Sequence, residues 1–170
     1  MAAVMHTPCQ HPSGHRPRRR QRSAPWLACA LAWAIHANAQ PLPADAPTDR
    51  DFAQQVLEAV NHHRLQQRLA PWQADPTLSE IAAGHSQAMA RLGALSHAGF
   101  QTRFERAQRR VCVENLAARY RQADRLVAGW QASPGHGENL LDARVQQVGV
   151  ASVGGYVTLL ACSAARVPAR

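Results

Sequence analysis

Three side chains in this chain have the chemistry of a working site: His97, Glu114 and His136. Neutral imidazoles bind borderline metals such as zinc, and a carboxylate completes or orients such a site. His136 follows Ser133-Pro134-Gly135, where a helical pattern stops, and His97 follows Ser96 just past another helix end. Glu114 and Asn115 lie inside V-C-V-E-N-L-A. No local metal motif links them: H-E-x-x-H is absent, and so is any pair of C-x-x-C elements. Each histidine could equally cap a turn, and Glu114 could pair with an arginine. Serine chemistry has Ser133 and Ser96 near the histidines, but lacks the G-x-S-x-G that exposes a nucleophile. Nothing sets a second carboxylate (Glu105, Glu138 or Asp142) opposite Glu114, as glycoside hydrolysis requires. If any residue is catalytic, it is Glu114.

The positioning elements follow from periodicity. Thr48 or Asp49 can cap a first helix carrying Phe52, Val56, Ala59 or Val60, and Leu65 at helical spacing, expected to reach about Leu69. Asn61 and Arg64 share one face of it, either as solvated polar groups or as a hydrogen-bonding pair. Trp72 is a candidate core anchor in a turn-rich link. Asp75 or Thr77 can cap a second helix with Leu78, Ile81, Ala82, Met89 and Leu92 apolar, ended by Gly93. His85 shares that apolar face, which fits a packed, hydrogen-bonded histidine better than a ligand. A short helix over Thr102 to Gln108 is expected to turn Phe104 inward, and Val111 to Leu116 reads as extended. Arg121 to Ala132 reads as a helix burying Ala123, Leu126, Val127 and Trp130, terminated by Pro134 and Gly135. Glu138 to Asp142 adds a turn. Val145 to Val153 and Tyr156 to Ala161 read as strands joined by Gly154-Gly155, a hairpin turn signal. Helices first and a hairpin last predict an α+β domain with helices packed on an antiparallel sheet.

The ends of the sequence have a different character. The full sequence has 170 residues and a formal charge of +8. Residues 1–39 read as a secretory signal peptide: a long basic n-region with five arginines between Arg16 and Arg22, an apolar block from Trp26 to Ile35, and Ala37-Asn38-Ala39 for cleavage. The apolar block is too short to span a bilayer in a mature protein, although an uncleaved anchor is the alternative. Residues 40–48 form a linker, 49–164 the domain and 165–170 a tail. After the leader, 14 basic residues face 11 acidic ones, so the basic excess is a targeting signal rather than a nucleic-acid footprint. The absence of lysine excludes Schiff-base and P-loop chemistry. Of four cysteines, Cys9 and Cys29 fall in the leader; Cys29 could take a lipid, but Trp26 stands where an aliphatic residue is usual. Cys112 and Cys162 remain as an expected disulfide, stabilising by about 4 kcal/mol on the chain-entropy model. The expected setting is export, to the periplasm or outside the cell, with no nucleic-acid partner and no integral membrane segment after cleavage.

The order Asn61-x-x-Arg64, His85, L-S-H ending at His97, E-N-L-A from Glu114, W-x-x-S-P-G-H from Trp130 with Asn139, and V-G-V-A from Val148 resembles the bacterial branch of the CAP superfamily, also called the SCP domain (cysteine-rich secretory proteins, antigen 5, pathogenesis-related proteins). The resemblance runs from about Asp51 to Cys162. It implies a three-layer α-β-α sandwich with a central antiparallel sheet and a surface cavity. His97, Glu114 and His136 fall on the cavity positions, with Asn115 and Ser133 beside them. Ser133 stands where many members carry a second glutamate, so a mechanism needing two histidines and two carboxylates lacks one group. In the family, some cavities bind divalent metal, other members bind sterols or fatty acids, and protease activity is not general. The implied protein is a binding or interaction module for a small-molecule, lipid or envelope ligand, with His97 and His136 as candidate zinc ligands. A metal-dependent hydrolase using Glu114 as base is the alternative, and a purely structural or adhesive domain a third reading. Two imidazoles without a thiolate would bind zinc modestly, and less so below roughly pH 6.5.

Overall fold

A computed structural model describes residues 48–165; the leader, its cleavage site and most of the linker and tail lie outside them. The chain runs α1 (Asp49–Gln66), β1 (Gln73–Ala74), α2 (Pro76–Leu92), α3 (Phe100–Ala107), β2 (Cys112–Ala118), α4 (Ala123–Gln131), α5 (Pro134–Leu141), β3 (Gln147–Val153) and β4 (Tyr156–Cys162). The strands form one sheet in the order β1-β3-β4-β2. It is antiparallel except where β1 joins β3 in parallel.

The sheet has a helical layer on each face, and strand alternation decides which residue meets which layer. Val157, Leu159 and Ala161 of β4 pack with Phe52, Val56 and Val60 of α1, Leu126, Val127 and Trp130 of α4, and Leu140 of α5. Leu160 and Cys162 pack with Leu78 and Ile81 of α2 and Ala107 of α3. Tyr156 packs with Met89 and Leu116. Every residue of β4 is buried, as expected for a strand covered on both sides. This is the expected α-β-α sandwich.

Local signals account for most element ends. Thr48 forms a capping box with Asp51 at the start of α1. Asp49 then reaches the far hairpin, accepting from Ser152 Oγ at 2.6 Å and from the Gly154 N–H at 3.1 Å. Asp75 caps α2, with Pro76 in its first turn. Gly93 ends α2 at φ +68°. Gly154 and Gly155, at φ +57° and +79°, supply the two positive φ values of a type I′ hairpin turn.

Four expectations need correction. First, α1 stops at Gln66, not near Leu69, because Arg68 turns the chain at φ +60° and the Leu69 N–H bonds back to Arg64 O at 2.9 Å. Second, Leu92 is 75% exposed, since the buried face of α2 ends at Met89. Third, α3 buries Arg103 and Ala107, while Phe104 is half-buried and stacks on Phe100. Fourth, Pro134 and Gly135 do not just stop α4. They begin α5, which places His136 in the first turn of a helix.

Asn61 and Arg64 are structural. Asn61 clasps the backbone of Trp72, donating to its carbonyl at 3.0 Å and accepting its N–H at 2.8 Å. The buried Arg64 donates to the carbonyls of Ala70, Leu140 and Asp142 and lies 4.4 Å from the Trp72 ring centroid. Burial pushes its pKa down, opposed by the nearby Asp142 carboxylate.

Candidate functional site

The edge strand β2 is the spine of the site. Successive residues of a strand point to opposite faces, so Glu114 and Asn115 serve different layers. Glu114 turns towards α3 and the loop after α2. Asn115 turns towards α5, donating to the His136 carbonyl at 3.1 Å and accepting from Asn139 Nδ2 at 2.9 Å. Asn139 also bonds the Glu114 carbonyl at 3.2 Å, and Trp130 Nε1 donates to the Leu116 carbonyl at 3.0 Å. These side chains occupy carbonyls on an edge that would otherwise invite another strand.

A cleft of about 550 Å³ opens across this edge. His97 and Phe100 line one side, Ser133, Gly135 and His136 the other, with Cys112 to Glu114 between. All five predicted cavity residues meet at or beneath this place: His97, Glu114, Ser133 and His136 on the lining, and Asn115 fully buried behind it. Ser133 is the residue before α5 and makes no side-chain cap bond. Burial, and then the neighbouring His97, lower the pKa of His136 and favour its neutral form.

Glu114 is not a free carboxylate. Its side chain is 2% exposed, and Arg103 grips it at both oxygens, Nε to Oε2 at 2.6 Å and Nη2 to Oε1 at 2.7 Å. His97 Nδ1 lies 2.9 Å from Oε1. Arg103 was not among the predicted site residues. Its spacing from Ala107 puts both on one face of α3, a signal overshadowed by Phe104. His85 also takes part from below, bonding the Ser96 carbonyl through Nε2 at 2.8 Å. Burial lowers the His85 pKa most, followed by the charge of Arg103.

The donor set does not fit a resident zinc centre. Among the described residues no three His, Cys, Asp or Glu side chains gather as a ligand set, whereas zinc sites use three or four protein ligands. Of the two carboxylates lining the cleft, Glu114 has both oxygens engaged by Arg103, and Glu138 stands on α5. The expected disulfide is present: Cys112 and Cys162 face each other in register across β2 and β4. A larger hollow of about 740 Å³ lies between α1 and α4, near His62 and His63. Of its ionisable side chains, Glu58, His62, Arg121 and Asp124 are exposed and His63 is half-buried, so none is buried as Arg103 and Glu114 are in the cleft.

A four-stranded sheet between helical layers, with a histidine-lined cleft over one edge strand, defines an SCP-type sandwich. The profile of the CAP family, described as the cysteine-rich secretory protein family, matches residues 57–160, and the chain belongs to that family. The uncharacterized protein YkwD of Bacillus subtilis is 29% identical over 113 residues, which cover 62% of this chain and 42% of that one. An extracellular protein containing an SCP domain from Bacillus anthracis superposes with a TM-score of 0.66 at 24% identity, over 74% of this chain and 45% of its own. An outer surface protein from Borrelia burgdorferi gives a TM-score of 0.62 at 17% identity, over 68% of this chain and 95% of its own. The chain thus spans less than half the length of the two Bacillus relatives. Among the described residues no helix is long and apolar enough to cross a membrane.

Proposed function

We propose that this is an exported binding module whose cleft over β2 takes a small ligand, from solution or from the cell envelope, through the imidazoles of His97 and His136. The observation that carries the reading is the state of Glu114. Both oxygens are held by a buried arginine, so the carboxylate serves as an ion-paired anchor for His97 rather than as a free base. Hydrolysis by a metal-bound water with Glu114 as base gains no support from that arrangement. The apolar lining from Phe100 and Val113 beside two imidazoles favours a ligand with both an apolar and a polar part. With two imidazoles and no third protein ligand gathered, the cleft would hold a divalent ion only weakly and exchangeably. Export rests on the leader pattern and on the extracellular and outer-surface descriptions of the structural relatives.

The test is zinc titration calorimetry on wild type and on the His97→Ala, His136→Ala double variant. Weak wild-type binding that is lost in the double variant supports the two-histidine cleft. Equal binding in both removes the histidines from the reading. Peptidase and peptidoglycan assays on wild type and Glu114→Gln complete it: an activity abolished by that substitution would replace the binding reading with the hydrolytic one.

A further inference from the structure

Three consecutive backbone carbonyls of the loop carrying His97 are each fastened by a buried side chain. Ser96 O accepts from His85 Nε2 at 2.8 Å. His97 O accepts from Arg103 Nη2 at 3.4 Å, and Ala98 O from Arg103 Nη1 at 2.8 Å. The Arg103 backbone N–H also bonds Gly99 O at 3.1 Å. One guanidinium therefore holds both the loop and the carboxylate that faces the loop's imidazole. Arg103 has an 8% exposed side chain and Glu114 a 2% exposed one, while His97 is 57% exposed. The arrangement is a buried clamp with one solvent-facing ring.

Hydrogen-bond accounting then fixes the ring's tautomer. A guanidinium only donates, so Glu114 accepts at both oxygens. Oε1 has one direction left, and His97 Nδ1 occupies it at 2.9 Å. A bare Nδ1 there would set two lone pairs against each other, so the proton sits on Nδ1. We infer that Arg103 is a positioning residue which, through Glu114, holds His97 as the Nδ1–H tautomer and leaves Nε2 as the nitrogen offered to the cleft. A ligand of His97 then meets a fixed hydrogen-bond acceptor, which selects for N–H or O–H donors and against groups that only accept. That ligand class rests on the binding reading above; the tautomer does not.

The experiment reads the tautomer in the ligand-free protein. Long-range proton–nitrogen correlation spectra of ¹⁵N-labelled protein near pH 8 distinguish a protonated Nδ1 from a protonated Nε2. In wild type His97 is expected as Nδ1–H. In Glu114→Ala no acceptor faces Nδ1, so the preference for Nδ1–H should be lost and the ring should shift towards Nε2–H. Arg103→Lys keeps the charge but not the fork. There the Nδ1–H population should fall, and amide exchange in the 98–100 segment should quicken on the order of tenfold, as loss of about one hydrogen bond implies. A wild-type ring protonated on Nε2 overturns the inference, and needs no variant to do so. A wild-type Nδ1–H ring that stays unchanged in both folded variants overturns the role of Arg103. Failure of zinc to bind would count against the proposed function and leave this result standing.

Discussion

Gly149 in β3 offers a test of the sandwich with a built-in control. A Cβ placed there would come well inside 3.0 Å of the α2 backbone, meeting Leu78 C and O and Ser79 N. The obstacle is main chain, so no side-chain rotation relieves it. Either α2 moves away from the sheet or β3 bends. Overpacking a core costs about 1–3 kcal/mol when side chains can adjust; with backbone as the obstacle, Gly149→Ala should cost at least about 3 kcal/mol by the same estimate. For a domain near this size that lowers Tm by roughly 10–20 °C. Because α2 also carries His85, the Ser96 to Ala98 loop should loosen with it. The control is Gly84→Ala on the same helix. Gly84 is exposed, and an added Cβ meets nothing within 4 Å. That change should stabilise by about 0.5–1 kcal/mol, the helix-propensity gain. Thermal and urea denaturation by circular dichroism, with the disulfide intact, measures both. Gly149→Ala within about 0.5 kcal/mol of wild type, the range of a neutral surface change, would refute the close α2–β3 packing.

Asn61→Ala removes both bonds to the Trp72 backbone and should cost about 1–3 kcal/mol; urea unfolding followed by tryptophan fluorescence checks it, with Asn61→Asp, which keeps the acceptor, falling between. Replacing Cys112 and Cys162 together by alanine should cost about 4 kcal/mol for a separation of 50 residues, and a change below about 1 kcal/mol would contradict the loop-closure account. His85 and His136 both have lowered pKa values, so the folded state binds fewer protons than the unfolded chain just below the unfolded histidine value, roughly pH 6.5. Stability should therefore fall as pH drops through that value towards the lower folded ones. For His85 the groups concerned are Arg103, Glu114, His97 and the Ser96 carbonyl. Urea midpoints from pH 8 to 5 should decline, and a midpoint that rises on acidification would contradict the assignment.

What could be read in the sequence was what local chemistry specifies. The Thr48 and Asp75 caps, the Gly93 stop and the Gly154-Gly155 turn are short-range signals, and each lies where its residues indicate. The buried face of α4 followed from spacing alone. β1 could not be found that way, because two residues become a strand only by pairing with β3. The start of α5 was missed for an instructive reason: proline ends a helix behind it and opens one ahead of it, and the local pattern does not say which. The candidate site was legible as a set of residue types and as a family resemblance. The partner of Glu114 was not, since an arginine on a short surface-like helix reads as solvated until the fold turns it inward. The metal expectation drew on two histidines with a carboxylate to complete or orient them, and the arginine changes what that carboxylate can do.

The Cys112–Cys162 bond also divides the cleft by connectivity. The covalent loop it closes contains Glu114, Asn115, Ser133, His136 and Asn139, while His97, Phe100 and Arg103 lie outside it on the preceding chain. A protease cut within α4 or α5 leaves every piece of the His136 wall attached through sulfur. A cut in the largely exposed stretch between Gly93 and Gly99 has no such safeguard. The α1, β1 and α2 segments would then stay on the sheet by packing and hydrogen bonds alone, and with them His85, which fastens the His97 loop. One side of the pocket is covalently insured against cleavage, and the support of the other relies on noncovalent contact.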